Sequence, residues 1–228
     1  LHRFYIHEMH NKFGRIELGE TVWIHDEKLL NQWLKVLRFT VKDELILFND
    51  EEERLYKISD IEFPHSVKLK MVTELERKFS TKKVTLIWSL LKKDKNDWVL
   101  QKATELGVHE FVPVIADRSE KTGFNLDRAK KIVIEASEQC GRSDIPIVRD
   151  SVFLNEALAE YKDSPLFVCE QHNSPQIQVD DSEPIAVLIG PEGGWTDKEK
   201  EQFKKLELNH LAISQFTLRA ETAAVVSV

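Results

Sequence analysis

Over its 228 residues the sequence is 42% hydrophobic and 31% charged, the balance of a globular protein, and no run of about 18 apolar residues is available to cross a bilayer. Its formal net charge of −7 is unevenly spread: residues 76–150 carry 15 basic against 12 acidic side chains, whereas residues 151–228 carry 6 against 13. An acidic total does not exclude a nucleic-acid partner, because phosphate binding depends on cations gathered on one face. Two cysteines, Cys140 and Cys169, exclude a disulfide framework and have no Cys or His at metal-ligand spacing, so buried cytoplasmic thiols and no metal are expected. Residues 1–5 do not form a basic region followed by an apolar one, so no signal peptide is expected; a start at Leu1 and an end inside a helical pattern point to trimmed termini.

The first 75 residues predict a small β-rich domain. Apolar and β-branched stretches at residues 3–7, 21–24, 44–48, 55–61 and 67–72 are separated by polar turns. One helix interrupts them, with Asp26 as N-cap and Leu29, Leu30, Trp33, Leu34 and Leu37 at helical spacing. Strands this short usually close into a barrel or sandwich. Residues 74–83, basic and without apolar periodicity, are the expected linker, which gives domains at 1–73 and 84–228.

From residue 84 the pattern becomes strand alternating with helix. Strands are expected at 84–90, 111–115, 166–170, 185–189 and 211–214. Helices are expected at 98–106 with Asn96 or Asp97 near its start and Gly107 just after it, at 126–140 with Asn125 as cap and Gly141 as stop, at 154–161, at 198–206 and from 219. Thr196 and Glu199 form a capping box ahead of the fourth of these. Such apolar strands between helices predict an α/β domain with a mostly parallel sheet covered on both faces.

In open α/β sheets ligands bind beyond the carboxyl ends of the strands. Three loops are expected there: Glu170-Gln171-His172, Gly190-Pro191-Glu192-Gly193-Gly194 and Ser214-Gln215-Phe216-Thr217-Leu218. Three of the eight glycines fall within residues 190–194, which suits a backbone with positive φ or close approach to a ligand, although a plain strand-to-helix turn accounts for an isolated motif equally well. The loop is neither a dinucleotide fingerprint nor a Walker A loop, since no G-x-G-x-x-G and no Gly-Lys-Ser/Thr is present. Residues 217–223 add an arginine and a glutamate at a helix start, and Lys92-Lys93-Asp94-Lys95, Arg118-Ser119 and Glu138-Gln139-Cys140-Gly141-Arg142 add charge near element ends. Each of these clusters taken alone reads more readily as solvated charge.

In order along the chain, Arg3-Phe4-Tyr5, Val36-Leu37-Arg38, residues 92–95 with Asp97, Gln101-Lys102-Ala103-Thr104-Glu105-Leu106-Gly107, Arg118-Ser119, residues 138–142 with Ile145-Pro146, residues 190–194 and Leu218-Arg219-Ala220-Glu221-Thr222-Ala223 resemble the RsmE family of ribosomal RNA methyltransferases, within the SPOUT superfamily. The resemblance covers nearly the whole chain. It implies a homodimer with an N-terminal PUA-like β-barrel that binds RNA and a trefoil-knotted α/β domain, a topology that periodicity would not suggest. It implies S-adenosylmethionine as cofactor and methylation of N3 of one uridine in the decoding region of 16S rRNA, free or in the small subunit. The cofactor site implied comprises Glu170, Leu188, Gly190, Pro191, Glu192, Gly193, Gly194, Ile213, Ser214, Phe216, Leu218 and Arg219. The chain departs from the family at Ser214, where a glycine is usual, and at barrel turns near Lys42-Asp43 and residues 50–53.

Methyl transfer to uracil N3 needs the ring as its anion. Arg219 or Arg118 is therefore expected to stabilise that charge, and Glu221 or Glu138 to accept a proton or orient an arginine. Arg3, Arg38, Lys93, Lys95, Arg118 and Arg142 are the expected phosphate contacts. Two other readings are a non-catalytic RNA-binding assembly factor and a nucleotide-binding transferase or hydrolase using residues 190–194 for phosphate.

Overall fold

The computed structural model describes residues 1–6, 17–62, 65–92, 94–120, 122–170 and 183–228. Two compact units result. The first contains Leu1–Phe79 together with Ser137–Asp144, and the second contains Ser80–Ala136 with Ile145–Val228.

The first unit holds strands β1 (His2–Tyr5), β2 (Thr21–Ile24), β3 (Glu44–Phe48), β4 (Glu53–Glu62) and β5 (Ser66–Glu74) in the order β1-β3-β4-β5-β2. β1 runs parallel to β3 and the remaining pairs are antiparallel, with breaks in register between β4 and β5. Alternation puts Leu45, Leu47, Tyr56, Ile58, Val67 and Leu69 inside, where they meet Phe4 and the wholly buried Trp33. Trp33 comes from the expected helix: Asp26 accepts the Leu29 amide at 2.8 Å and starts α1 (Glu27–Asn31), which widens into a π-helical turn over Gln32–Val36. Lys42 has φ +86°, a left-handed conformation that costs a residue with a Cβ about 1–2 kcal/mol.

The second unit is built on β6 (Val84–Ser89), β7 (Glu110–Ile115), β8 (Ile147–Val148), β9 (Val152–Phe153), β10 (Leu166–Cys169), β11 (Ile185–Ile189) and β12 (Asn209–Leu211). Every pairing is parallel, in the order β12-β10-β11-β6-β7-β8, with β9 also on β7. Helices α2 (Lys95–Glu105), α3 (Leu126–Cys140), α4 (Leu154–Glu160), α5 (Asp197–Lys205) and α6 (Ala220–Val226) complete the α/β pattern. Two apolar cores flank the sheet, one around Trp88, Phe111 and Val133 and one around Val114, Leu158, Leu188 and Phe203. Alternation along β11 sends Val187 and Ile189 to the first, Ala186 and Leu188 to the second.

Local signals set the boundaries. Asn125 accepts the Arg128 amide at 3.0 Å, Gly107 and Gly141 have φ +98° and +86° after α2 and α3, and Thr196 and Glu199 close the capping box reciprocally. Two expectations are corrected. α2 begins at Lys95, a turn earlier than its apolar periodicity indicated, and the last strand lies at Asn209–Leu211, not 211–214, because parallel pairing with β10 fixes its register. No described helix is long and apolar enough to span a membrane, and no metal-binding cluster occurs among the described residues.

Candidate cofactor and substrate site

Cys169 and Glu170 at the end of β10, the loops leaving β11 and β12, one face of α5 and the starts of α2 and α6 line a cavity of about 900 Å³. Its floor is residues 190–194. A Cβ on Gly190 would stand 2.9 Å from the Trp195 indole, so the ring lies against bare backbone. Trp195 is itself fixed edge-on against Phe203 of α5, with ring centroids 5.0 Å apart. Gly194 has φ +67° and its amide donates to the Pro191 carbonyl at 2.9 Å, closing the turn. From the other side Arg118 donates to the Gly193 carbonyl at 3.0 Å, and Glu199, besides its capping role, accepts the Asp117 amide at 2.9 Å. The glycine loop is held on both flanks before any ligand arrives.

Charge is distributed in three places around the cavity. Lys95, the first residue of α2, reaches Glu192 in the loop and Glu221 in α6, each at 3.2 Å. The Lys92 amide also donates to Glu192 at 3.3 Å. Hydrogen bonding to Glu192 raises the Lys95 ammonium above its ordinary range. Partial burial of Glu192 opposes its ionisation, but the bonds from Lys95 and the Lys92 amide outweigh that and hold its carboxyl below the ordinary value. A lowered carboxyl stabilises the fold above its unfolded pKa, and that support disappears as acid titrates it below the usual carboxylate range.

Second, His210 Nδ1 lies 3.1 Å from a Glu170 carboxylate oxygen, an ion pair only when the imidazole carries a proton. The third is Arg219, the N-cap residue of α6: exposed, on the cavity wall, and in no ion pair among the described residues. Ile189, Ile213, Leu218, Ala220 and Ala223 give the walls apolar surface, and Phe216 is 72% exposed beside them. Ser214 does not adopt a positive φ; its hydroxyl accepts the Phe216 amide at 3.0 Å, so the missing glycine is not required for backbone geometry.

Cys169 also lines this cavity, and burial pushes its thiol up to about 12. Only the thiolate reacts readily with disulfide reagents. At pH 8 the native chain should therefore titrate one rapid thiol, the exposed Cys140, with the second released on unfolding. Two equally fast thiols would contradict the raised thiol of the half-buried Cys169.

Comparison with known proteins places this arrangement. An RNA methyltransferase domain family model matches residues 78–228. Ribosomal RNA small subunit methyltransferase E 2 of Borreliella burgdorferi is 30% identical over 92% of this chain and 90% of its own length. The chain belongs to the ribosomal RNA small subunit methyltransferase E family. The Rickettsia conorii family member is 28% identical over 99% of this chain and 93% of its own. The Neisseria gonorrhoeae member, solved bound to S-adenosyl methionine, superposes with a TM-score of 0.84 at 27% identity, covering 100% of this chain and 94% of that one.

Against that family background, the cavity gathers most of the residues expected from sequence: Glu170, Gly190, Pro191, Glu192, Gly193, Gly194, Ile213, Ser214, Phe216, Leu218, Arg219 and Glu221. Leu188 is different. It is fully buried in the core behind the sheet, and its strand neighbour Ile189 takes the wall position because successive side chains point to opposite faces. Arg118 grips the loop by its carbonyls and is not a wall residue. Glu138 belongs to the first unit, where it accepts the Tyr5 amide at 2.8 Å.

The expected phosphate contacts also divide. Arg3 is paired with the buried Glu53 and donates to the Arg142 carbonyl, and Arg142 is itself buried against Asp144, so both cations are spent inside the first unit. Lys95 is a cavity residue. Arg38 is exposed, and Lys93 lies outside the described residues. Sequence reasoning missed Trp195, Lys200, Lys204 and His210 on the wall. The lysines carried a signal: they are four apart on the helix that follows the glycine loop, and so share one face.

Proposed function

We propose that this chain is an S-adenosylmethionine-dependent methyltransferase of small-subunit ribosomal RNA, acting on N3 of one uridine in the decoding region of 16S rRNA. The observation that carries the reading is the glycine loop beside a large cavity, with Arg219 on its wall in no ion pair among the described residues. The cavity suits the cofactor. Gly190 lets the Trp195 indole pack against the loop, and the isoleucine and leucine walls suit an aromatic base. Bound there, S-adenosylmethionine supplies an electrophilic sulfonium methyl.

The protein's own contribution is alignment and electrostatics. Uracil N3 must lose its proton to attack, and a guanidinium at the ring oxygens lowers the cost of that anion. Arg219 takes this role because no described carboxylate claims its charge. Glu221, tied to Lys95, orients the start of α6, and the N3 proton leaves to solvent at the exposed mouth beside Arg219. Arg118 acts on the loop instead of the base. Lys200 and Lys204, with exposed Arg38, supply phosphate contacts in place of Arg3 and Arg142. The PUA-like barrel, the trefoil knot and the homodimer belong to the same proposal. The five-stranded, mostly antiparallel sheet of the first unit, the insertion of β11 between β10 and β6, and exposed apolar Trp98 and Val226 on the packed pair α2 and α6 support them in turn.

Transfer of a tritiated methyl group to 16S rRNA and to assembled small subunits, with the product nucleoside identified by mass spectrometry, tests the reading. The expected product is 3-methyluridine. Methyl on a ribose hydroxyl, or none on either substrate, overturns it.

A further inference from the structure

The geometry points to Lys95 as a positioning residue that claims both free carboxylates of the cavity and thereby leaves Arg219 available to the substrate. The inference rests on the methyltransferase reading and adds a role that the sequence order alone assigned to phosphate binding.

Of the carboxylates on the cavity wall, Glu170 is paired with His210, while Glu192 and Glu221 are both paired with Lys95. Those two approach from different elements, the loop after β11 and the first turn of α6. Lys95 stands between them at 3.2 Å from each, anchored by the start of α2. Glu221 is mostly buried, its side chain 14% exposed, so without the ammonium its charge would seek another cation. Arg219 is two residues away at the cap of the same helix and has no competing partner among the described residues. A neutral residue at position 95 would free Glu221 and leave Glu192 with the Lys92 amide, in a cavity where Arg219 is the adjacent guanidinium without an ion pair among the described residues. Its capture would withdraw the cation from the reacting base and let the loop and α6 move apart. A misplacement of about 1 Å at a reacting centre is enough to cost on the order of 100-fold in rate.

A phosphate contact at Lys95 predicts different behaviour. Its loss would weaken RNA binding at every sequence and reduce the salt dependence of binding by about one counterion.

The experiment compares K95M, K95R, K95M/E221Q and K95M/E192Q/E221Q with the parent chain on small subunits carrying unmodified 16S rRNA. Single-turnover methylation is measured at saturating RNA, with RNA affinity against salt, S-adenosylmethionine affinity by calorimetry and thermal midpoint. K95M is expected to lower the saturating rate about 10- to 100-fold with the salt slope unchanged. K95R should retain most of the rate, and neutralising the carboxylates should recover part of what K95M loses. A rate unchanged at saturation with a salt slope lower by about one would overturn the proposal in favour of a phosphate contact. So would a K95M defect untouched by the carboxylate substitutions. If K95M fails to fold, K95R and E221Q carry the test: loss of rate in K95R despite an unchanged thermal midpoint counts against charge pairing. Absence of transfer by the parent chain itself would instead sink the underlying function.

Discussion

Substituting alanine for Arg219 should reduce single-turnover methylation by about 100- to 1000-fold while leaving S-adenosylmethionine affinity within a few fold. That is the range over which removal of one preorganised group facing developing charge acts. The side chain is exposed at the cap of α6 and makes no ion pair among the described residues, so its removal leaves no buried partner stranded and the fold should be unchanged. Raising the pH should partly rescue R219A, because solution ionisation of uracil N3 then supplies the anion the guanidinium no longer favours. A mutant rate within threefold of the parent, or a defect confined to cofactor binding, would take Arg219 out of the chemistry.

The second large effect belongs to Gly190. A single methyl group there would stand 2.9 Å from the Trp195 ring, which is already wedged against Phe203 and has no slack to yield. Overpacking of this kind costs about 1–3 kcal/mol. In G190A we expect a lower thermal midpoint and, because Trp195 and the loop both line the cavity, S-adenosylmethionine affinity lower by at least about tenfold, equivalent to about 1.4 kcal/mol. Calorimetry on the folded variant decides the matter: unchanged affinity would mean the cofactor does not depend on how the indole meets the loop. Gly193 is a useful contrast, since a Cβ there would sit at an ordinary 3.4 Å from Arg118, and the smaller steric demand should give a smaller effect.

The two residues illustrate what could be read from the chain and what could not. The loop at 190–194 was legible because glycine clustering after an apolar strand has a local cause, and the capping box behind it is a contiguous signal. Arg219 was legible as a candidate, but its freedom was not: that depends on Lys95, 124 positions earlier, holding Glu221. Arg3 and Arg142 failed as surface cations for the same reason reversed, since the partners that bury them, Glu53 and Asp144, are chosen by tertiary packing and leave no mark in composition. Strand β12, whose Asn209 and His210 carry no apolar pattern, is specified by its neighbour β10 and not by itself. The mostly parallel sheet was legible from its apolar strands; the strand order was not, because periodicity says which residues face a core and nothing about which strand lies next.

The first unit has a further implication for how the protein is made. Its buried Glu53 is met by the hydroxyl of Ser143, and the Tyr5 amide by Glu138, although strands β1 to β5 end at Glu74. During synthesis from the N-terminus Glu53 has Arg3 beside it but not yet Ser143, and the Tyr5 amide not yet Glu138, until residue 144 has left the ribosome. The N-terminal strands can collapse early. They cannot reach their final stability until more than half of the chain has been made, so the folding of the first unit is timed by the appearance of a short stretch of the polypeptide far beyond its own last strand.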